Sequence, residues 1–177
     1  RSLWLLVALV LFGTLLVSVS AAQPGTVFLE NHYKVYDVPE VYTVERDIQL
    51  DDQWGHSMHP MVQLDKFANP VDKNNEGIPN EFIHQTWWMI DEPQPGREVL
   101  LENQFGLQTW FVKDARYLVL PAAKNSGGPL PNEMGQHYKC YEAQGPVLDA
   151  QVTLLDQWGN MTGVLTDPRY FCNPVDK

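Results

Sequence analysis

The chain reads as an all-β protein: tandem small antiparallel units, sandwich-like or barrel-like, behind an N-terminal apolar segment. Three observations predict this class. The sequence repeats itself three times. Aromatic and β-branched residues fall in runs of about five, separated by turn signals every ~8–12 residues, as in sandwiches and barrels. Beyond the first 22 residues, no stretch sustains the apolar period of a helix.

The repeat is carried by residues that return in a constant order. His32-Tyr33-Lys34-Val35-Tyr36 recurs as His137-Tyr138-Lys139-Cys140-Tyr141 and, more faintly, as His84-Gln85-Thr86-Trp87-Trp88. Each copy reaches a second signature at Asp52-Gln53-Trp54-Gly55, Asn103-Gln104-Phe105-Gly106 and Asp156-Gln157-Trp158-Gly159. Each closes on a proline followed by a lysine: Pro70 and Lys73, Pro121 and Lys124, Pro174 and Lys177. From that Gly to that Pro the spacing is 15 residues in every copy; from the His to the Gly it is 23, 22 and 22. Units of about 50 residues are marginal as lone cores, so they are expected to pack on one another or be stapled.

Taken in order, residues 1–22 stand apart. Arg1 precedes an apolar run, and Ser18-Val19-Ser20-Ala21-Ala22 supplies small residues for cleavage after Ala22. That is the composition of a secretory signal peptide; the competing reading is a retained apolar helix, as a membrane anchor or the stem of a pilin-like filament subunit. Unit A1 with its linker spans 23–81, unit B1 with its linker 82–131, and unit A2 132–177. In B1, strands are expected at 82–90, 97–101, 107–112 and 116–120, broken at Pro93-Gln94-Pro95-Gly96. In A2 they are expected at 137–142, 152–154, 161–165 and 169–172, broken at Gln144-Gly145-Pro146 and Asp167-Pro168. The Gly that ends each Asp/Asn-Gln-Trp/Phe-Gly turn is expected to supply a positive φ. A1 and A2 share details that B1 lacks, so the array reads A–B–A with a period of 105 residues from His32 to His137, and a further B unit is expected after Lys177.

Composition narrows the function. There are 22 acidic residues against 12 Lys plus Arg, a formal net charge of −10. Nucleic-acid binding depends on cationic side chains neutralising phosphates and is not expected. No basic run would recruit anionic lipid, leaving residues 1–22, if retained, as the one expected membrane contact. The two cysteines, Cys140 and Cys172, occupy matching edges of A2; the matching positions are Val35 and Ala68 in A1, Trp87 and Val119 in B1. Both positions are Cys or neither is, the pattern a disulfide predicts in an exported chain. Closing that loop would stabilise by roughly 3–4 kcal/mol in the chain-entropy model.

His-Tyr-Lys-Cys-Tyr, then Asp-Gln-Trp-Gly, then Cys172-Asn173-Pro174-Val175-Asp176-Lys177 resembles a repeat module of secreted bacterial proteins, a family known only as a domain of unknown function. The resemblance covers residues 30–177 and implies export, β structure and a two-cysteine unit. It implies no activity, and the substitutions at Val35, Ala68, Trp87 and Val119 leave the first two units without a disulfide.

Other candidate sites are fewer. Asp72, Asn74 and Glu76 alternate before Gly77, like the start of a calcium loop, although Ile83 stands where a bidentate acid belongs. Calcium is therefore the one cofactor considered, and a polar linker turn is the plainer reading. His56 and His59 would fall on opposite faces of a strand, which disfavours a shared metal. Trp54, Trp87, Trp88, Trp110 and Trp158 are expected in the core or between units; exposed in a row, they would stack on sugars or dock a protein. No motif of a hydrolase or phosphate-binding enzyme is present. The expected function is structural or adhesive, in a secreted or cell-envelope protein whose partner is an extracellular protein or glycan. The alternatives are a Trp-based binding module, a filament subunit, and a hydrolase with His56 or His59 among acids.

Overall fold

The computed structural model describes residues 30–125 and 135–176. The signal-peptide or helical reading of residues 1–22 lies outside them, as does the Gly- and Pro-rich linker beyond Asn125. Every regular element among the described residues is a strand: β1 His32–Asp52, β2 Gly55–Lys73, β3 His84–Glu92, β4 Arg97–Asn103, β5 Gly106–Ala122, β6 Tyr138–Gln144, β7 Ala150–Asp156, β8 Gly159–Leu165 and β9 Tyr170–Pro174. All pair antiparallel in the order β8-β7-β2-β3-β5-β6-β9, with β1 also on β2 and β4 also on β5. The all-β class therefore holds. The units add edge to edge because the last long strand of one pairs with the first strand of the next, β2 with β3 and β5 with β6. The sheet does not close into a barrel.

Local chemistry sets where each strand breaks. A2 forms four separate strands because Gly145-Pro146 and Asp167-Pro168 interrupt its ladders. In A1 the corresponding segments merge into two long strands, with register shifts between Asp37 and Tyr42 and between Glu45 and Ile48. Pro39 lies within the first shift, and Pro60 sits opposite the second. Proline has no N–H for a ladder and survives in strands at such irregularities. In B1 the expected strands 107–112 and 116–120 fuse into β5, again with a register shift, between Val112 and Ala115.

The register is the same in all three units. Val35 faces Ala68, Trp87 faces Val119 and Cys140 faces Cys172. In each hairpin the turn closes Asp52 on Gly55, Asn103 on Gly106 and Asp156 on Gly159. These glycines have φ of 133°, 92° and 121°, a region closed to residues with a Cβ. The carboxylate or amide before each turn accepts the N–H of the aromatic two residues on: Trp54 at 3.0 Å, Phe105 at 2.8 Å and Trp158 at 2.9 Å. That bond is why Asp or Asn recurs there.

Hydrophobic residues bury both faces of the central strands. Leu50, Val62, Ile90, Val112, Ala115, Leu118, Tyr141, Ala143 and Val175 form the larger cluster, drawn from all three units. On the opposite face Tyr117, Val119 and Cys140 pack with Trp87, Tyr138, Tyr170 and Cys172. Alternation along β5 accounts for the division: Leu118 turns one way, Tyr117 and Val119 the other. Each fully buried Leu or Val contributes about 1.5–3 kcal/mol, and because the larger cluster spans all three units, none completes its core alone.

Candidate functional site

The recurring signatures meet in two matching places, where the outer units exchange their hairpin turns. The turn of A1 reaches A2. Asp51 and Asp176 exchange two backbone hydrogen bonds of 3.0 Å. The Tyr141 hydroxyl donates to Asp52 Oδ2 at 2.5 Å, and Gln53 Nε2 donates to Asn173 Oδ1 at 2.7 Å. Trp54 lies edge-on to Tyr141 at 4.5 Å and stacks on Phe171 at 5.4 Å.

The turn of A2 reaches A1 through equivalent residues. Leu155 and Leu154 of β7 pair with Asp72 and Lys73 of β2. The Tyr36 hydroxyl donates to Asp156 Oδ2 at 2.7 Å, and Gln157 Nε2 donates to Asn69 Oδ1 at 2.8 Å. Trp158 lies edge-on to Tyr36 at 4.5 Å. Tyr36 and Tyr141 hold the same place in the His-Tyr-Lys signature, Asn69 and Asn173 the same place before proline. Both locks are topped by a cation from the middle unit: Arg97 lies over Trp54 at 4.4 Å, Lys124 over Trp158 at 5.0 Å.

Electrostatics follow from burial. Asp156 is 8% exposed. Burial alone would raise its pKa, but the Tyr36 hydroxyl, the Trp158 N–H and the Lys34 ammonium hold it below the usual carboxylate range. Burial, reinforced by Asp52, pushes the Tyr141 phenol well above its ordinary value. It therefore stays a donor.

A buried polar cluster joins the three units beside the first lock. Lys139 Nζ of A2, 1% exposed, lies 2.7 Å from Glu92 Oε2 of B1 and donates to Ser57 Oγ of A1 at 2.9 Å. His59 Nε2 lies 3.2 Å from Glu92 Oε2 and 3.1 Å from Ser57 Oγ. Serine and acid meet the same imidazole nitrogen, whereas a nucleophile relay needs them on opposite nitrogens. Burial lowers the His59 pKa, as does Lys139, against the pull of Glu92. Burial raises that of Glu92, but Lys139 and donors from Ser57 and Gln94 bring it below the ordinary range. His59 lies on β2, as the strand reading of that segment expects, and is 6% exposed. His56 is exposed and paired with Asp51 at 2.8 Å.

The remaining candidates fall as follows. Cys140 and Cys172 form the disulfide, between directly opposed residues of β6 and β9. Asp72, Asn74 and Glu76 bind separate protein groups. Asp72 Oδ1 accepts the Gly77 N–H at 2.9 Å, Asn74 Oδ1 accepts the Thr153 N–H at 2.9 Å, and Glu76 Oε2 meets His32 at 2.8 Å and Lys73 at 3.2 Å. Asn74 thus extends the second lock. Among the described residues no three or more His, Cys, Asp or Glu side chains cluster to hold a metal ion. Trp88 and Trp110 pack against the larger cluster and Trp87 against the smaller, while Trp158 is 57% exposed.

The fold and this site define an antiparallel β-repeat protein whose units interlock through their hairpin turns. A family model described as a repeat of unknown function (DUF7450) matches residues 84–177, and the chain belongs to that family. The match starts at His84 and takes in B1 and A2 together. Neither a curated protein nor a solved structure matches the chain.

Proposed function

We propose that this chain is a non-catalytic structural module of a secreted or cell-surface protein, stiffening a β array that displays or adheres. The carrying observation is the exchange of turns between A1 and A2, which engages the Asp, Gln and Trp of the turn and the Tyr and Asn of the receiving unit in internal contacts. Residues kept for assembly account for the repeat without a reaction. The disulfide supports an oxidising compartment, and the apolar start with its small-residue exit supports export. An extracellular protein or glycan is the expected partner, and no cofactor belongs to this reading.

Equilibrium unfolding of the full chain, followed by far-UV circular dichroism and tryptophan fluorescence, tests the module. One coincident transition is expected, because each outer unit completes the other; two separated transitions would sink the interlocked reading. Mass spectrometry of the exported protein tests location, with a mature N-terminus at Gln23 expected and an intact segment 1–22 favouring a filament stem. A second reading, a glycan-binding module, is favoured by Trp158 at 57% exposure with Lys124 above its ring. A glycan array run with the native chain and Trp158→Ala separates the two: a signal lost in the variant supports the binding module.

A further inference from the structure

The middle unit carries the backbone positions through which the outer units bond across, although Trp88 and Leu120 stand where the outer units have the receiving Tyr and Asn. Among the described residues neither position makes a backbone hydrogen bond beyond its own unit. Glu102 of β4 is equivalent to Asp51 and Leu155, the residues through which the outer hairpins bond across. Ala123 is equivalent to Asp72 and Asp176, the residues that receive them. Yet among the described residues β4 pairs only with β5. No backbone hydrogen bond outside β5 joins Glu98, Leu100 or Glu102, and none joins Ala123, to another described residue. The face of this hairpin that points away from the core bears Leu100 at 65%, Leu107 at 66% and Phe111 at 40% exposure. At the receiving end, His84 pairs in register with Ala122, is 8% exposed, and holds a buried Nδ1 without a hydrogen-bond partner among the described residues. Its equivalent, His32, has Glu76 at 2.8 Å.

We propose that the middle unit docks a second copy of this chain, the β4 hairpin of each copy pairing with the Ala122–Lys124 edge of the other. The A1–A2 exchange is the template. It is reciprocal, so two middle units can repeat it about a twofold axis, and such an isologous contact closes on itself. An unpaired strand edge beside exposed apolar side chains is a template for strand addition. Charge favours this edge over the outer ones. In the first lock Asp51 meets Asp176, two acids, and in the second Leu155 meets Asp72 beside Lys73; Glu102 would meet Ala123 beside Lys124, the more favourable of these charge patterns. Each copy carries a formal net charge of −10, so added salt, by screening that repulsion, should strengthen the contact.

The proposal rests on the reading of the units as assembly elements and is tested separately from it. Sedimentation of the full chain at rising protein concentration and moderate salt should show the mass doubling. Both cysteines are paired, so a disulfide-linked dimer is not a competing source. Leu100→Lys combined with Leu107→Lys removes the apolar face. Glu102→Pro removes one outward N–H and leaves the β5 ladder intact. Each should hold the chain at monomer mass, with circular dichroism and unfolding midpoint close to the native chain. The His84 imidazole resonance should shift with concentration in the native chain only. A native chain that stays monomeric throughout, or a dimer that survives both variants, overturns the proposal. Neither result alters the single unfolding transition expected from the A1–A2 exchange, so the two readings fail independently.

Discussion

In the outer units the hairpin turn presents Asp, Gln and Trp to a receiving Tyr and Asn; in the middle unit it presents Asn, Gln and Phe, and the receiving positions are Trp88 and Leu120. The local turn is the same in all three, closed by the same side-chain-to-backbone bond and the same positive-φ glycine. The destinations differ. Trp54 and Trp158 reach tyrosines of the opposite outer unit, whereas among the described residues Gln104 meets Lys73 of A1, which donates to it at 2.5 Å. Trp88 and Leu120 point into the shared core. A turn sequence thus specifies a hairpin, and the receiving pair of residues specifies where it docks.

Truncating the turn aromatics should break the comparison most sharply. Trp54→Ala is expected to cost about 3–4 kcal/mol, since a packed aromatic is lost between Tyr141, Phe171 and Arg97. Trp158→Ala should cost about 1–2 kcal/mol given its exposure, and Phe105→Ala less than ~1 kcal/mol. Denaturant midpoints at constant slope check the order; a Phe105→Ala loss equal to that of Trp54→Ala would mean the middle turn is docked after all.

The cross-strand pairs give the next effect. Replacing Cys140→Val with Cys172→Ala installs the pair that A1 uses. Loss of the cross-link over a separation of 32 residues should cost roughly 3 kcal/mol, and urea unfolding with and without reductant measures it. A variant as stable as the native chain would show that apolar packing fully replaces the bond.

Smaller losses should follow removal of the lock hydroxyls. Tyr141→Phe leaves Asp52 Oδ2 with only the longer 3.4 Å bond from Asn173 Nδ2 and should cost about 1–2 kcal/mol; Tyr36→Phe should cost about 1 kcal/mol, because Lys34 still faces Asp156. Trp88→Phe, at the matching position of B1, breaks no inter-unit hydrogen bond and should not mimic them.

The mildest effect is acid lability. His59 titrates below its ordinary 6.5 in the folded chain, so between those values the unfolded chain binds more protons. Stability is then full above the ordinary value and falls as pH drops toward the folded one. Glu92 and Asp156, also depressed, extend the loss below the ordinary carboxylate values. Melting temperature should fall from neutral pH to about pH 5, and His59→Gln should flatten that first segment; a slope unchanged in the variant assigns the effect elsewhere.

Much of the fold was legible because a repeat reports on itself. Matching Val35 with Ala68 and Trp87 with Val119 to the cysteine pair predicted cross-strand neighbours that the register contains. Turn positions followed from glycine and from short polar side chains, whose effects are local. Less of the site was legible. His59 gave no sign of burial, since the groups that enclose it, Glu92 and Lys139, come from the other two units. Asp72, Asn74 and Glu76 resembled a cation loop because oxygen spacing is visible in sequence, while the N–H groups and cations that engage those oxygens are not.

By itself the sequence determined an all-β chain, three units in A–B–A order, the hairpin turns, and the pairing of Cys140 with Cys172. These rest on alternation, on backbone freedom at single residues, and on short-range spacing. Only the tertiary structure decided that the units share one open sheet and that A1 and A2 exchange turns. Tyr36 and Asp156 are 120 residues apart, as are Gln53 and Asn173. Contacts across that distance depend on how the intervening unit turns the sheet, and no local preference of either partner encodes them.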